Sequence, residues 1–224
     1  VSALVAETVQ DPIYLQAAKQ TADFIFAHLI NGVNQVLDAI DSSSNSSCDP
    51  GPTLKPFNSG VVIEGLSVLY SITGNTTIQT LLNSIVTATI STTAWQGSNG
   101  IINFGGAGDL SLVQGLTTAY LRNATTPELR VDIGHYLAVQ FNAVVDLATV
   151  NGSDVYGNTW LGPPTSVFAG SSQITALSAV LSGLSLGDSS EPPLPHPHHQ
   201  IRPHLPTLTK PQKAPLSLAL FSRV

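Results

Sequence analysis

Fourteen acidic side chains are the groups in this 224-residue chain best suited to breaking bonds. Two carboxylates in different surroundings can divide the work, one held protonated as an acid and one ionised as a base or nucleophile. Most of the fourteen have simpler roles. Glu128 and Asp132 lie early in a predicted helix, where negative charge suits the dipole. Asp23 and Asp146 are expected to face solvent, Asp11 to cap a helix, and Asp38 and Asp41 to lie in the longest loop, at VLDAID. Glu64, Asp109 and Asp154 remain as cavity-facing candidates, although Asp109 can also cap the helix that follows GGAG. Glu64 stands in the apolar stretch GVVIEGLSVLYSITGN, with no basic residue in reach along the helix. SLVQGLTTAYLRN repeats that stretch, with Gln114, Gly115, Leu116 and Tyr120 where Glu64, Gly65, Leu66 and Tyr70 stood. An acid and its amide both accept hydrogen bonds, so Glu64 and Gln114 mark a polar lining position and not a catalytic acid. The two glycines are expected to allow close helix approach, and the two tyrosines to fill equivalent packing sites. Trp95 and Trp160 fall in long glycine-bearing loops and present flat apolar faces with a polar rim, suited to stacking on sugar rings.

Other chemistries find no support. No zinc, haem or nucleotide spacing occurs, so no metal or cofactor is expected. GGAGDL lacks the order of a dinucleotide fingerprint, and no G-x-S-x-G elbow is present. His28 and His135 are lone helical histidines. Only 10% of residues are charged and the net charge is −6. No basic patch points to nucleic acid, and no apolar run reaches the roughly 18–20 residues of a membrane span.

The elements that must position these groups are helices. Apolar residues at helical spacing predict helices near 1–9, 12–30, 59–73, 76–93, 110–122, 126–148 and 171–186. Pro12 and Pro127 suit first-turn positions behind Asp11 and Thr126 as caps. The turns near 74–75 and 123–125 are short, whereas the connections at about 31–58, 94–109 and 149–170 are long. Alternating short and long connections make hairpins and gather the long loops at one end, where binding usually resides. A period of about fifty residues exceeds that of most helical repeats and fits an α/α toroid of inner and outer helices. The body, 1–187, supplies about three and a half hairpins, so an all-α, partial toroid of about seven helices is expected. The segment 188–224 holds eight of the fifteen prolines and four of the six histidines, His196, His198, His199 and His204. It is expected to be a disordered or polyproline-like tail.

The chain contains no Met and begins on Val1 in what reads as mid-helix, which suggests a processed chain or an internal piece. Sequons at Asn45, Asn75, Asn123 and Asn151 fall in loops or helix ends and favour a secreted glycoprotein. The lone Cys48 is either a free buried thiol or, the favoured reading, one whose partner lies outside this sequence.

Several stretches in order, FNSGVVIEGLSVLYSITGN, GDLSLVQGLTTAYLRNATTPELR, YLAVQFNAVVDLAT, YGNTWLGPP and ITALSAVLSGLSL, resemble fungal members of glycoside hydrolase family 76. These are six-hairpin α/α-toroid proteins related to endo-α-1,6-mannanases. The resemblance covers 1–187 and corresponds to the C-terminal half of the family domain. It implies α-mannan or a similar wall polysaccharide as partner. The family's catalytic pair is two adjacent aspartates in its N-terminal half. No two acids are adjacent in this chain, so no catalytic residue is assigned. Glu64, Trp95, Asp109, Gln114, Asp154 and Trp160 are the expected substrate-binding set. Two other readings stay open: a non-catalytic carbohydrate-binding remnant, or a helical-repeat interaction domain. An incomplete ring would also expose apolar helix faces through which copies could associate.

Overall fold

The computed structural model describes residues 1–40, 50–150 and 153–187. Asp41, Asn45, Cys48, Asn151 and the segment 188–224 lie outside the described residues. Seven α-helices run in order among them: α1 Ser2–Val9, α2 Pro12–His28, α3 Pro56–Thr73, α4 Thr76–Ser91, α5 Leu110–Leu121, α6 Pro127–Asp146 and α7 Gly170–Gly187.

Local chemistry sets their starts. The side chains of Asp11, Asn75, Asp109 and Thr126 each accept a backbone N–H of the first turn they precede, which satisfies an otherwise orphaned donor. Proline fixes the first turn of α2 and α6, and also of α3. That third proline, Pro56, moves the start of α3 ahead of the expected residue 59, because its fixed φ suits a helix before the apolar period begins.

The odd helices pack on one another in succession, α1 on α3, α3 on α5 and α5 on α7. The even helices lie behind, each against its hairpin partner. This is the inner and outer layering of an α/α toroid. The core between the layers is built from Ile63, Leu82, Ile85, Leu112, Leu116, Ile133 and Leu137, all fully buried. Each such side chain contributes about 1.5–3 kcal/mol over an exposed one.

The tightest inner contact joins α3 and α5. A Cβ on Gly60 would stand 2.2 Å from the Ser111 carbonyl oxygen, and one on Gly115 would stand 2.1 Å from the Gly60 oxygen. The close approach expected of Gly65 and Gly115 is therefore made by Gly60 and Gly115. A Cβ on Gly65 would meet nothing within 4 Å. Tyr70 and Tyr120 pack against the core as expected.

The first hairpin is held more lightly. Ala3, Ala18, Val68 and Leu69 form a small second cluster that fixes α1 and α2 on α3, and Ala18 is the one buried residue of α2. A bidentate ion pair adds a link, with Arg122 at the end of α5 donating to Glu7 of α1 at 2.6 and 2.9 Å.

Candidate functional site

The long connections 29–55, 92–109 and 147–169 all lie where the inner helices α3, α5 and α7 begin. No extended strand forms among the described residues. The loops close on isolated antiparallel bridges, including Leu37 with Leu54, Gln96 with Ile102 and Thr149 with Tyr156. Side chains from helices pin them. Gln140 of α6, fully buried, accepts from Ile102 N at 2.9 Å and donates to the Gly100 carbonyl at 2.8 Å. Gln173 of α7 pairs with both backbone groups of Tyr156, at 3.1 and 2.8 Å. The buried Tyr136 hydroxyl donates to Gln96 Oε1, and burial raises its pKa well above the usual tyrosine value. The described parts of these loops are thus tied to the helices behind them.

Asp109 caps α5 at this end, with one carboxylate oxygen accepting from Leu112 N at 2.7 Å. Desolvation pushes its pKa above the ordinary aspartate value, against the lowering effect of the Leu112 and Ser111 amides. Gln114 is exposed one turn along α5, and Glu64 is half-buried on α3. Arg122, at the end of α5 and bound to Glu7, feels the Glu64 charge only as a minor contribution. Asp154 is exposed on a turn where Thr149 Oγ1 donates to the carbonyls of Ser153 and Val155.

The two tryptophans correct the expectation of sugar stacking. Trp95 is 2% exposed and Trp160 0%, so neither offers a ring face to solvent. Trp160 lies flat against the backbone of Gly108, where a Cβ would stand 2.1 Å from its ring. Both indoles fasten the loops to the core.

Sequence reasoning also missed a group at the start of α3. Asp38 accepts from Lys55 Nζ at 2.7 Å and from Asn58 Nδ2 at 2.8 Å, and these partners hold its carboxyl below the ordinary aspartate value. Between them Phe57 is exposed, with the Lys55 ammonium 5.7 Å from its ring centre. The sequence signal was KPFN, a proline-initiated first turn directly after the longest loop.

An apolar cavity of about 290 Å³ lies between α1, α2, α3 and α4, lined among others by Ala3, Ala22, Ile25, Val62 and Leu66. No acidic or basic side chain lines it, so it lacks the convergent polar groups that orient a hydroxyl-rich ligand. No cluster of three or more potential metal ligands occurs among the described residues.

The sequence profile of glycosyl hydrolase family 76 matches residues 1–194. The chain belongs to glycoside hydrolase family 76. Its fold is similar to that of an α-1,6-mannanase from Salegentibacter, solved as an inactive variant with two aspartates replaced by alanine and in complex with α-1,6-mannotetrose. The TM-score is 0.74 at 16% identity, over 83% of this chain and 56% of that one. It is also similar to a Listeria innocua protein, with a TM-score of 0.69 at 17% identity over 88% of this chain and 55% of that one. A family 76 mannosidase from Bacteroides thetaiotaomicron gives 0.64 at 14% identity, over 84% of this chain and 52% of that one. No curated protein matches. The family 76 chain described here therefore spans little more than half the length of the solved structures it resembles. The two aspartates replaced in the mannanase are consecutive, and no two acids are consecutive here. No described helix is long and apolar enough to cross a membrane.

Proposed function

We propose that this chain forms the glycan-binding wall of a family 76 glycoside hydrolase that acts on α-1,6-mannan or a related wall polysaccharide. The hydrolytic aspartate pair would be supplied by sequence other than these 224 residues. The observation that carries this reading is the family match over residues 1–194 in a chain with no consecutive acids. Asp109 and Gln114 stand at and near the long-loop end of α5 and Glu64 midway along α3, and we assign all three as hydroxyl acceptors on such a wall. Asp154 is a rim candidate from the third long loop.

Titration of the purified chain with α-1,6-mannotetraose, alongside a reducing-end assay on α-1,6-mannan, tests the proposal. Binding without turnover is expected. Turnover that disappears in Glu64→Gln or Asp109→Asn would overturn the assignment of the chemistry to other sequence. Absence of binding would overturn the wall.

We also infer that the protein is secreted and N-glycosylated. Asn75 and Asn123 are exposed at the short turns, the end opposite the long loops. Asn75 caps α4 through Oδ1 alone, with Thr77 N at 2.9 Å, so a glycan on Nδ2 leaves the cap intact. Passage through a eukaryotic secretory pathway should give a mass that falls on endoglycosidase treatment and in Asn75→Gln and Asn123→Gln. An unchanged mass would refute the modification.

A further inference from the structure

We propose that Phe57 is the aromatic platform on which a hexopyranose ring of the polysaccharide stacks at the rim of the cleft. On this view the Asp38–Lys55–Asn58 cluster holds that platform in place. The inference rests on the carbohydrate ligand proposed above and names a residue that the tryptophans were expected to be.

Stacking needs a ring that is accessible, at the loop end of an inner helix and fixed in orientation. Phe57 is 40% exposed. The other exposed aromatic residues among the described ones are Tyr14, Phe24 and Phe26 on the outer helix α2, and Phe168 ahead of α7. Phe57 alone among them belongs to an inner helix.

Its direction follows from helical geometry. At about 100° per residue, Phe57, Val61 and Glu64 share one stripe of α3. Gly60 points to α5, and Val68 and Leu69 to the first hairpin. The stripe continues to the buried Val68, which packs with Ala3 and Ala18, and Val61 borders the apolar cavity against α1 and α2, so the part left open is its loop-proximal half, Phe57 and Val61. Val61 is exposed and Glu64 half-buried. Seven residues separate Phe57 from Glu64, about 10 Å along the axis. The stripe therefore runs from an aromatic ring at the loop end to a hydrogen-bond acceptor deeper in. Such a sequence suits a sugar chain, whose C–H faces are apolar and whose edges carry hydroxyls.

The orientation is set by the residues on either side. One carboxylate, Asp38, fixes both Lys55 and Asn58, so the backbone carrying Phe57 is tied at two adjacent points to the loop 29–55. Lys55, 34% exposed, keeps donors beside the ring for sugar hydroxyls. A platform held in this way loses little conformational freedom on binding.

Isothermal titration of the full chain with α-1,6-mannotetraose reads the proposal. Phe57→Leu, which keeps an apolar side chain but removes the ring, should weaken binding about tenfold. Phe57→Tyr should bind within about twofold of the parent. Asp38→Asn, which weakens the hold on Lys55, should weaken binding about threefold. Circular dichroism melts of the variants should match the parent within a few degrees. If the parent binds and Phe57→Leu binds equally well, the platform is wrong and the glycan-binding wall stands. If both aromatic and aliphatic variants lose binding equally with unchanged melts, ring stacking is excluded. If the parent itself does not bind, the wall and the platform fall together.

Discussion

Asp109 is placed under two opposing demands. Its cap on α5 requires a carboxylate oxygen as acceptor, while burial favours the neutral acid. Burial wins in direction, since the folded pKa lies above the ordinary aspartate value. An acid whose pKa rises on folding is protonated more readily in the folded state. The contribution is favourable below the unfolded pKa and is lost as pH rises through the folded pKa. Asp109→Asn keeps an acceptor but cannot ionise. Its stability relative to the parent should therefore increase as pH is raised from below about 4 towards neutrality. Urea midpoints across that range measure it, and a pH-independent difference would show that Asp109 is not under strain. Asp109→Ala should cost about 1 kcal/mol through the lost cap. The cap was legible because it spans four consecutive residues, Asp109 to Leu112. The burial of Trp160 was not, because it depends on Gly108 meeting a ring about fifty residues away, and that of Trp95 likewise follows from the tertiary core it joins. Composition marks a tryptophan in a loop as available, and only the tertiary path of that loop shows which way the ring turns. Phe57 was missed for the same reason in reverse, since an aromatic at the start of an apolar run reads as core.

At the level of elements, the two copies of the inner-helix sequence are not equivalent in packing. Gly115 faces α3 and Gly65 faces open space, because α5 meets α3 through Gly60, one and a half turns earlier. Opposite outcomes follow for one substitution. Gly60→Ala or Gly115→Ala would drive a methyl into a backbone carbonyl and force the helices apart, at about 2–3 kcal/mol. Gly65→Ala meets nothing within 4 Å and should stabilise by about 0.5–1 kcal/mol, since alanine costs less backbone entropy in a helix. Thermal midpoints of the three variants separate these cases, and equal shifts would show that α3 and α5 are not in close contact. The helices themselves were almost wholly legible, with ends within a few residues, because periodicity, caps and first-turn prolines are local signals. Internal repetition was legible too, but the register of one helix on the next is set by which small residue faces which neighbour.

At the scale of the whole molecule, the described residues form a run of inner and outer helices whose first and last members carry exposed apolar side chains. On α7, Ile174, Leu177, Leu181 and Leu184 recur at helical spacing and are each more than half exposed. On α2, Ile13, Phe24 and Phe26 are equally open. The hairpin α1–α2 is held by a small apolar cluster around Ala3, Ala18, Val68 and Leu69 and by the Glu7–Arg122 pair, so the first edge is both apolar and lightly fixed. The Glu7–Arg122 pair adds little, since partly exposed pairs contribute about 0–1 kcal/mol. Its contribution is present above the unfolded glutamate pKa and is lost as pH falls, because Arg122 lowers the folded pKa of Glu7. Apolar faces of this extent in water favour association, and the solved family 76 structures carry almost as much additional chain as they share with this one. The isolated chain is therefore expected to self-associate, with a mass that rises with concentration in light scattering. Leu177→Glu together with Leu181→Glu places charge on the α7 edge without touching the core, and should return the mass towards that of one chain. A sharp, concentration-independent melt from a monodisperse monomer would show instead that the edges are stable in water as they stand, and that the toroid segment does not need a cover.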